Sequence, residues 1–212
     1  MTKADMVAQP DSSASATTAV DHRLAGLILA AGRASRMGRD KRLVPVDGIA
    51  MLERAVRAAI DGGLDPVLVV TGPDDPVALP PEVIRVVNPD PGRGMGSSLA
   101  AGIVALAAEI DGVVVLLADM PRVGAGHVAA LAAAFAPQGG GQVCVPVCRG
   151  RRGNPVLLGR AVFAALAALT GDVGARTIIN QNPDMVVEVA LDEAVLIDID
   201  TAQDLATVEG RS

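Results

Sequence analysis

The 212 residues include no tryptophan, no tyrosine and only two phenylalanines. Proteins that hold single-stranded nucleic acid stack its bases on aromatic side chains, so that class is excluded. The net charge of -6 removes the broad positive field that non-specific binding to DNA or RNA requires. Cysteine occurs twice, at Cys144 and Cys148, in an apolar stretch with no second pair and no nearby histidine. Such thiols read as small buried groups in a reduced, cytoplasmic protein, and a zinc site built from these two alone is not expected. Histidine also occurs only twice, at His22 and His127, in unrelated contexts, which leaves little material for a Ser-His-Asp triad or a His-rich metal site. No run is long and apolar enough to span a membrane, and no apolar run after the start suggests a secretory signal. Both common phosphate loops are missing: there is no G-x-G-x-x-G, and Lys41 is followed by Arg42 where G-x-x-x-x-G-K-[ST] needs a hydroxyl.

What is present centres on Leu27-Ile28-Leu29-Ala30-Ala31-Gly32-Arg33-Ala34-Ser35-Arg36-Met37-Gly38-Arg39-Asp40-Lys41. An apolar run, 24–30, reads as a buried strand. It ends in Leu29, Ala30, Ala31 and Gly32, whose small side chains let backbone N–H groups approach a bulky anion. Arg33, Arg36 and Lys41 add positive charge to an otherwise acidic chain. A strand that ends in a glycine-rich basic loop is how an α/β fold grips a polyphosphate.

Residues 1–22 are rich in Ser, Thr, Ala and Asp and read as a disordered tail, leaving residues 23–212 as one domain. After the first strand, further strands are expected at 66–70, 83–87, 112–117, 142–147, 156–158 and 185–189. Helices are expected at 51–60, 99–110, 128–135 and 162–169, then one ending at Ile179 and one opening at Thr201, where Asp204 completes a capping-box-like start. Residues 196–200 alternate in character. This alternation of strands and helices predicts a Rossmann-like three-layer α/β sandwich with a mostly parallel sheet, the 142–158 segment adding an antiparallel strand.

Ser97 or Ser98 is expected to cap the helix that follows the Gly92–Gly96 turn. That second glycine-rich strand-to-helix junction is also a candidate base or ribose pocket. The run 112–117 is apolar throughout and should be central. It ends at Asp119, at the carboxyl end of a parallel strand, where such folds bind ligands. A carboxylate facing a triphosphate needs a cation between them, which makes Asp119 the first candidate for a Mg²⁺ ligand. The alternative for Asp119 is a cap on the helix that starts near Gly124. For Asp200 the alternative is capping and an ion pair.

Residues 29–41 resemble L-A-[AG]-G-x-x-x-R-M-G-x-D-K, the signature of nucleotidyltransferases that handle the molybdenum cofactor. Later stretches are similar to the same family. They are Asn88-Pro89 with Gly94-Met95-Gly96-Ser97-Ser98-Leu99, Leu117-Ala118-Asp119-Met120-Pro121, Gly153-Asn154-Pro155, Gly171-Asp172-Val173-Gly174-Ala175-Arg176, and Asp198-Ile199-Asp200-Thr201-Ala202-Gln203-Asp204-Leu205. The resemblance implies a nucleotide-diphospho-sugar transferase-like fold and a molybdenum cofactor cytidylyltransferase activity, CMP passing from CTP to the phosphate of molybdopterin with release of pyrophosphate. Ala31, where the guanylyltransferases of the family usually have Gly, favours CTP over GTP. Asn154, where these enzymes usually have His, bears on the acceptor. Nicotine-blue-type NAD(P)H oxidoreductases share the resemblance, so an oxidoreductase on the same fold stays open, as does a guanylyltransferase.

On this reading Lys41, Arg36 and Asp119 are catalytic. Leu29, Ala30, Ala31, Gly32, Arg33, Lys41, Thr71, Asn88, Gly96 and Ser98 bind the nucleotide. Asp119 and Asp200 hold Mg²⁺, and Asn154, Asp172 and Arg176 contact a phosphorylated pterin acceptor. The partners implied are small molecules and a molybdoenzyme or its chaperone, with no nucleic acid and no membrane.

Overall fold

The structure is a computed structural model that describes residues 22–32, 40–135 and 142–209. Of the tail expected over residues 1–22 all but His22 lies outside these described residues, as do the arginines at 33 and 36.

In chain order the strands and helices are β1 (Leu24–Leu29), β2 (Pro45–Val46), β3 (Ile49–Ala50), α1 (Met51–Asp61), β4 (Val67–Thr71), β5 (Val83–Val87), α2 (Met95–Val104), β6 (Gly112–Leu117), α3 (Ala125–Phe135), β7 (Val143–Cys148), β8 (Arg151–Arg152), β9 (Val156–Gly159), α4 (Phe163–Ala167), α5 (Ala175–Gln181), β10 (Val186–Ala190) and α6 (Ala202–Glu209). The main sheet runs β10–β7–β9–β6–β1–β4–β5, with β8 pairing β7, and β2–β3 form a separate hairpin. The β1–β4, β4–β5, β1–β6 and β7–β10 pairs are parallel. Only β9 runs against its neighbours β6 and β7 within the main order. This is the mixed α/β architecture that the pattern predicts, with the 142–158 segment adding antiparallel β9 and the two-residue β8, which also runs against β7.

The period of two sorts the strands onto two cores. Leu24 and Ile28 of β1, Val67 and Val69 of β4, and Val114 and Leu116 of β6 face α1 and α3, where Leu52, Val56, Val128, Leu131 and Phe135 meet them. The alternate residues Ala25, Leu27, Leu68, Val70, Val113 and Val115 face α2, α4 and α5, packing on Leu99, Ile103, Leu166 and Ile178. Both faces of β1 and β6 are therefore covered, which is why these strands carry continuous aliphatic runs.

Several expected boundaries move. Helix α2 begins at Met95, four residues before the periodicity suggests, and ends at Val104. Its early start places Gly94 at the N-cap, with φ 91°, a left-handed value that favours glycine. Ser97 and Ser98 are therefore inside the first turn and do not cap the helix. Its early end reflects tertiary demand: Ile110 is buried, and the Asp111 N–H donates to the Arg23 carbonyl, so the chain must turn into β6. The helix expected over 162–169 is a 3-10 turn, Arg160–Val162, followed by the short α4. Residues 197–200 join no strand, although 193–196 form a 3-10 turn; the Ile199 N–H donates to the Asp119 carbonyl instead.

A third cluster is small and decisive for the site. Val44, Val46 and Met51 from the β2–β3 region bury against Ile199, Leu205 and Val208. It ties the end of the chain to the segment just after Lys41. No helix among the described residues is long and apolar enough to cross a membrane.

Candidate active site

The chain leaves β1, builds β4 and β5 on one side, and returns to place β6 on the other side of β1. That reversal makes the β1–β6 junction a topological switch point, and open α/β sheets bind ligands outside the carboxyl ends of strands at such a point. Leu29 lies opposite Leu117 in the ladder. Asp119 follows Leu117 by two residues, and the Ala30-Ala31-Gly32 segment follows Leu29, so both protrude from the same edge.

Lys41 comes to this edge through a 3-10 turn, Lys41–Leu43, which Asp40 caps by accepting the Arg42 N–H. Its Nζ lies 2.8 Å from Asp119 Oδ2 and 2.9 Å from Asp200 Oδ1. Burial opposes the Lys41 ammonium, but the two carboxylates outweigh it and hold its pKa above the ordinary lysine value. Asp119 brings a second oxygen, Oδ1, that is buried and has no hydrogen-bond partner. Asp200 is about half exposed. Ile199, anchored in the third cluster and bonded through its N–H to the Asp119 carbonyl, sets Asp200 beside Asp119 across 81 positions of sequence. Thr201 and Asp204 form the expected reciprocal cap: the Thr201 N–H and Oγ1 each donate to Asp204 Oδ2 over 2.8 Å, and the Asp204 N–H donates to Thr201 Oγ1. Asp119 pairs with Lys41, while near α3 it is the Gly124 N–H that donates to His127 Nδ1.

Arg42 carries a role that the sequence alone left unassigned. Its Nε and Nη2 donate to the two oxygens of Asp40. Nη1 and Nη2 donate to Asp75, and Nη1 also reaches the Ala30 carbonyl at 2.7 Å. One guanidinium thus fastens the segment carrying Lys41 to the end of β1 and to the loop after β4. The Asp40 hydrogen bond and the Asp75 carboxylate keep Arg42 charged, and Arg42 in turn holds both carboxyl pKa values below the usual range, overriding the burial of Asp75. The signal was available: an arginine next to Asp40, and Asp74-Asp75 just past the end of the second parallel strand. A cavity of about 210 Å³ opens beside Ala31 and Gly32, bordered by Gly72, Pro91 and the Arg42–Asp75 pair.

The remaining candidates form a second group. Asn88 is buried and donates through Nδ2 to Ser97 Oγ and Ser98 Oγ, while its Oδ1 accepts the Asp90 N–H. Thr71 is fully buried; its Oγ1 accepts from Arg85 and its carbonyl accepts the Asn88 N–H. These side chains hold the β5–α2 junction in shape. Gly96 donates to the Gly171 carbonyl, and a Cβ at Gly94 would collide with Asp172. The loop assigned to the acceptor therefore packs directly on the loop assigned to the nucleotide. Asp172 and Arg176 are exposed. Asn154 sits in the turn before β9, its N–H donating to the Val195 carbonyl. The β6–β9 ladder begins at Val156, opposite Val115, so Asn154 precedes it by two residues.

A model of the MobA-like NTP transferase domain matches residues 26–186. The chain belongs to the MobA-like NTP transferase family. It is a nucleotidyltransferase of the MobA-like kind, with a nucleoside triphosphate as its class of substrate. It is 32% identical over 196 residues to the purine catabolism protein PucB of Bacillus subtilis, covering 85% of this chain and 93% of that protein. It is also 36% identical over 100 residues to the molybdenum cofactor guanylyltransferase of Xanthomonas euvesicatoria, a match covering 47% of this chain and 49% of that relative, so about half of each. The crystal structure of Rv0371c from Mycobacterium tuberculosis superposes with a TM-score of 0.77 at 25% identity, covering 89% of this chain and 98% of that one. A structure of Rv0371c in complex with manganese gives a TM-score of 0.72.

Proposed function

We propose that this MobA-like transferase passes CMP from CTP to the phosphate of a phosphorylated pterin, molybdopterin, and releases pyrophosphate, with Mg²⁺ as the cation and the cytoplasm as its compartment. One observation carries the reading: Lys41 and Asp119 meet at the carboxyl ends of adjacent parallel strands, with Asp119 Oδ1 buried and unpartnered. The guanylyltransferase relative's name supports a molybdenum cofactor acceptor, and the manganese complex of Rv0371c supports a divalent cation.

An oxygen of the acceptor phosphate attacks the α-phosphorus of the nucleotide in line. The bond from that phosphorus to the bridging oxygen breaks, and pyrophosphate leaves with the electron pair. The attacking phosphate is already ionised, so no general base is needed. Charge neutralisation and alignment supply the rate. Backbone groups of Leu29, Ala31 and Gly32 hold the phosphates, while the Ala30 N–H and carbonyl are committed to the Val70 carbonyl and to Arg42. Lys41, with Arg33 and Arg36, neutralises them, Lys41 acting as the point charge on the α-phosphate. Ser98 reads the base, positioned by Asn88 and Thr71, while the Gly96 N–H is committed to the Gly171 carbonyl. Asn154, Asp172 and Arg176 face the acceptor, and a molybdoenzyme or its chaperone receives the product. Asp119 and Asp200 are hard oxygen ligands that suit Mg²⁺, which when bound neutralises and orients the phosphates.

The test is thermal unfolding with CTP, GTP, ATP, UTP, NADH and NADPH, each with and without Mg²⁺. At a ligand concentration one hundred times Kd, binding to the folded state adds about 2.7 kcal/mol. For a domain of this size that raises Tm by about 5–10 °C. A Mg²⁺-dependent rise with CTP, absent in Asp119→Asn, is the expected result. A rise with GTP alone would make the enzyme a guanylyltransferase, the reading that the Xanthomonas relative's name favours. A rise with NADH or NADPH and with no triphosphate would overturn nucleotidyl transfer in favour of an oxidoreductase.

A further inference from the structure

Of the 18 basic residues, only Lys3 and Lys41 are lysine; the rest are arginine. The lysine in the described fold stands between two carboxylates, at 2.8 and 2.9 Å. A compact ammonium can sit where a small cation sits, which a planar guanidinium cannot. Asp119 gives Lys41 one oxygen and keeps the other buried and unsatisfied. An unpaired buried carboxylate oxygen is costly, so it marks a place for a further positive partner.

The site is also short of ligands. Among the described residues no three His, Cys, Asp or Glu side chains gather to hold a metal. The nearby Asp204 is already occupied by Thr201 and by the Asp200 N–H. A divalent cation here has two carboxylates, both engaged by Lys41, and must draw its other ligands from phosphate and water.

We propose that Lys41 is a built-in stand-in for the divalent cation. Without nucleotide, its ammonium neutralises Asp119 and Asp200. With nucleotide, the cation takes the carboxylates while the phosphates take the ammonium. The two therefore bind with positive coupling, and by linkage each strengthens the other by the same factor. The proposal rests on reading this site as the transferase's metal site.

The test measures Mn²⁺ binding to the whole protein by the loss of the free-ion electron paramagnetic resonance signal, without nucleotide. Wild type, Lys41→Gln, Lys41→Arg and Asp119→Asn are compared. Lys41→Gln should bind Mn²⁺ about tenfold tighter than wild type, within the usual range of coupling factors. Lys41→Arg keeps a charge beside the carboxylates but cannot sit between them, so its Mn²⁺ affinity should lie between those of wild type and Lys41→Gln. Equal or weaker binding by Lys41→Gln, with binding still lost in Asp119→Asn, overturns the stand-in role and leaves the metal site intact. Binding by Lys41→Gln that persists when Asp119→Asn is added overturns the metal site itself. A second measurement needs no variant. With ¹⁵N-lysine, the wild-type Lys41 ammonium gives a resolved NMR signal held by its carboxylates, and Mg²⁺ with pyrophosphate should shift it while Mg²⁺ alone should not. A signal that is unmoved by Mg²⁺ and pyrophosphate, at concentrations that raise Tm, overturns the exchange.

Discussion

Replacing Arg42 by methionine should separate the architecture of the site from its chemistry. The methionine fills similar volume but withdraws five hydrogen-bond donors. Asp75, whose side chain is 8% exposed, would then keep only the Val77 N–H. The Ala30 carbonyl would lose its side-chain partner, and Asp40 would lose a bidentate one. Stripping one partner from a buried ion pair costs about 3–5 kcal/mol. Asp40 is one-third exposed and recovers solvation, so the lower end, about 3 kcal/mol, is the expected loss. At about 2–4 °C per kcal/mol for a domain of this size, Tm should fall by about 6–12 °C.

With no tryptophan or tyrosine, the melt is followed by far-ultraviolet circular dichroism or calorimetry. Adding Asp75→Leu removes the stranded charge, so Arg42→Met/Asp75→Leu should melt above Arg42→Met, a non-additivity that a double-mutant cycle reads directly. The pH dependence has a definite sign. Arg42 depresses the carboxyl pKa values of Asp40 and Asp75, so its contribution is complete above the ordinary carboxylate range and is lost as pH falls through the depressed values. The gap between wild type and Arg42→Met should therefore close in acid. A gap under 2 °C at neutral pH, or a double variant no more stable than the single one, would refute the reasoning.

Two further outcomes follow from single positions. Gly94→Ala places a Cβ at φ 91° and ψ 176°, backbone space that is nearly restricted to glycine, and against Asp172 and the Gly171 backbone. It should lower stability by about 1–3 kcal/mol and raise KM for the nucleotide as the 171–174 loop lifts, and an unchanged Tm and KM would count against that packing. Burial pushes the Cys144 thiol up to about 11 from 9.0. The unfolded thiol thus ionises first, stability falls as pH rises from about 9 towards 11, and the loss reaches about 3 kcal/mol. Cys144→Ala should remove that part of the alkaline slope in urea melts across pH 8–11, and identical slopes would refute it.

Strands were legible because each carries its own evidence. The aliphatic runs of β1, β4 and β6 need no partner to be recognised, and each of the six expected helices has a helix at its place. Boundaries failed where the deciding force came from elsewhere. Residues 105–110 have helical propensity, but Ile110 and Asp111 are claimed by the entrance to β6. Ser97 and Ser98 look like caps, but the positive φ of Gly94 starts the helix before them, and Asn88 then takes both hydroxyls. Asp119 and Lys41 could be nominated from the sequence because each follows a readable strand. The exchange of donors around Arg42 left a fainter trace, an arginine next to Asp40 and an Asp pair past β4, since it joins three segments that the fold brings together.

Asp200 shows how a weak local signal becomes a strong spatial one. Read alone, Asp198-Ile199-Asp200 before a helix is adequately explained by capping, and Asp204 does perform that task with Thr201. The cap therefore does not need Asp200, whose carboxylate is left to bond Lys41. What delivers it is the apolar residue between the two aspartates. Ile199 is fully buried against Val44, Val46 and Met51, and these follow Lys41 within ten positions. The hydrophobic cluster and the ionic one thus share the same two segments, and the non-directional force that buries Ile199 fixes the directional contact of its neighbour. An Ile199→Ala change, remote from any phosphate, should accordingly loosen Asp200 from Lys41 as well as cost core stability.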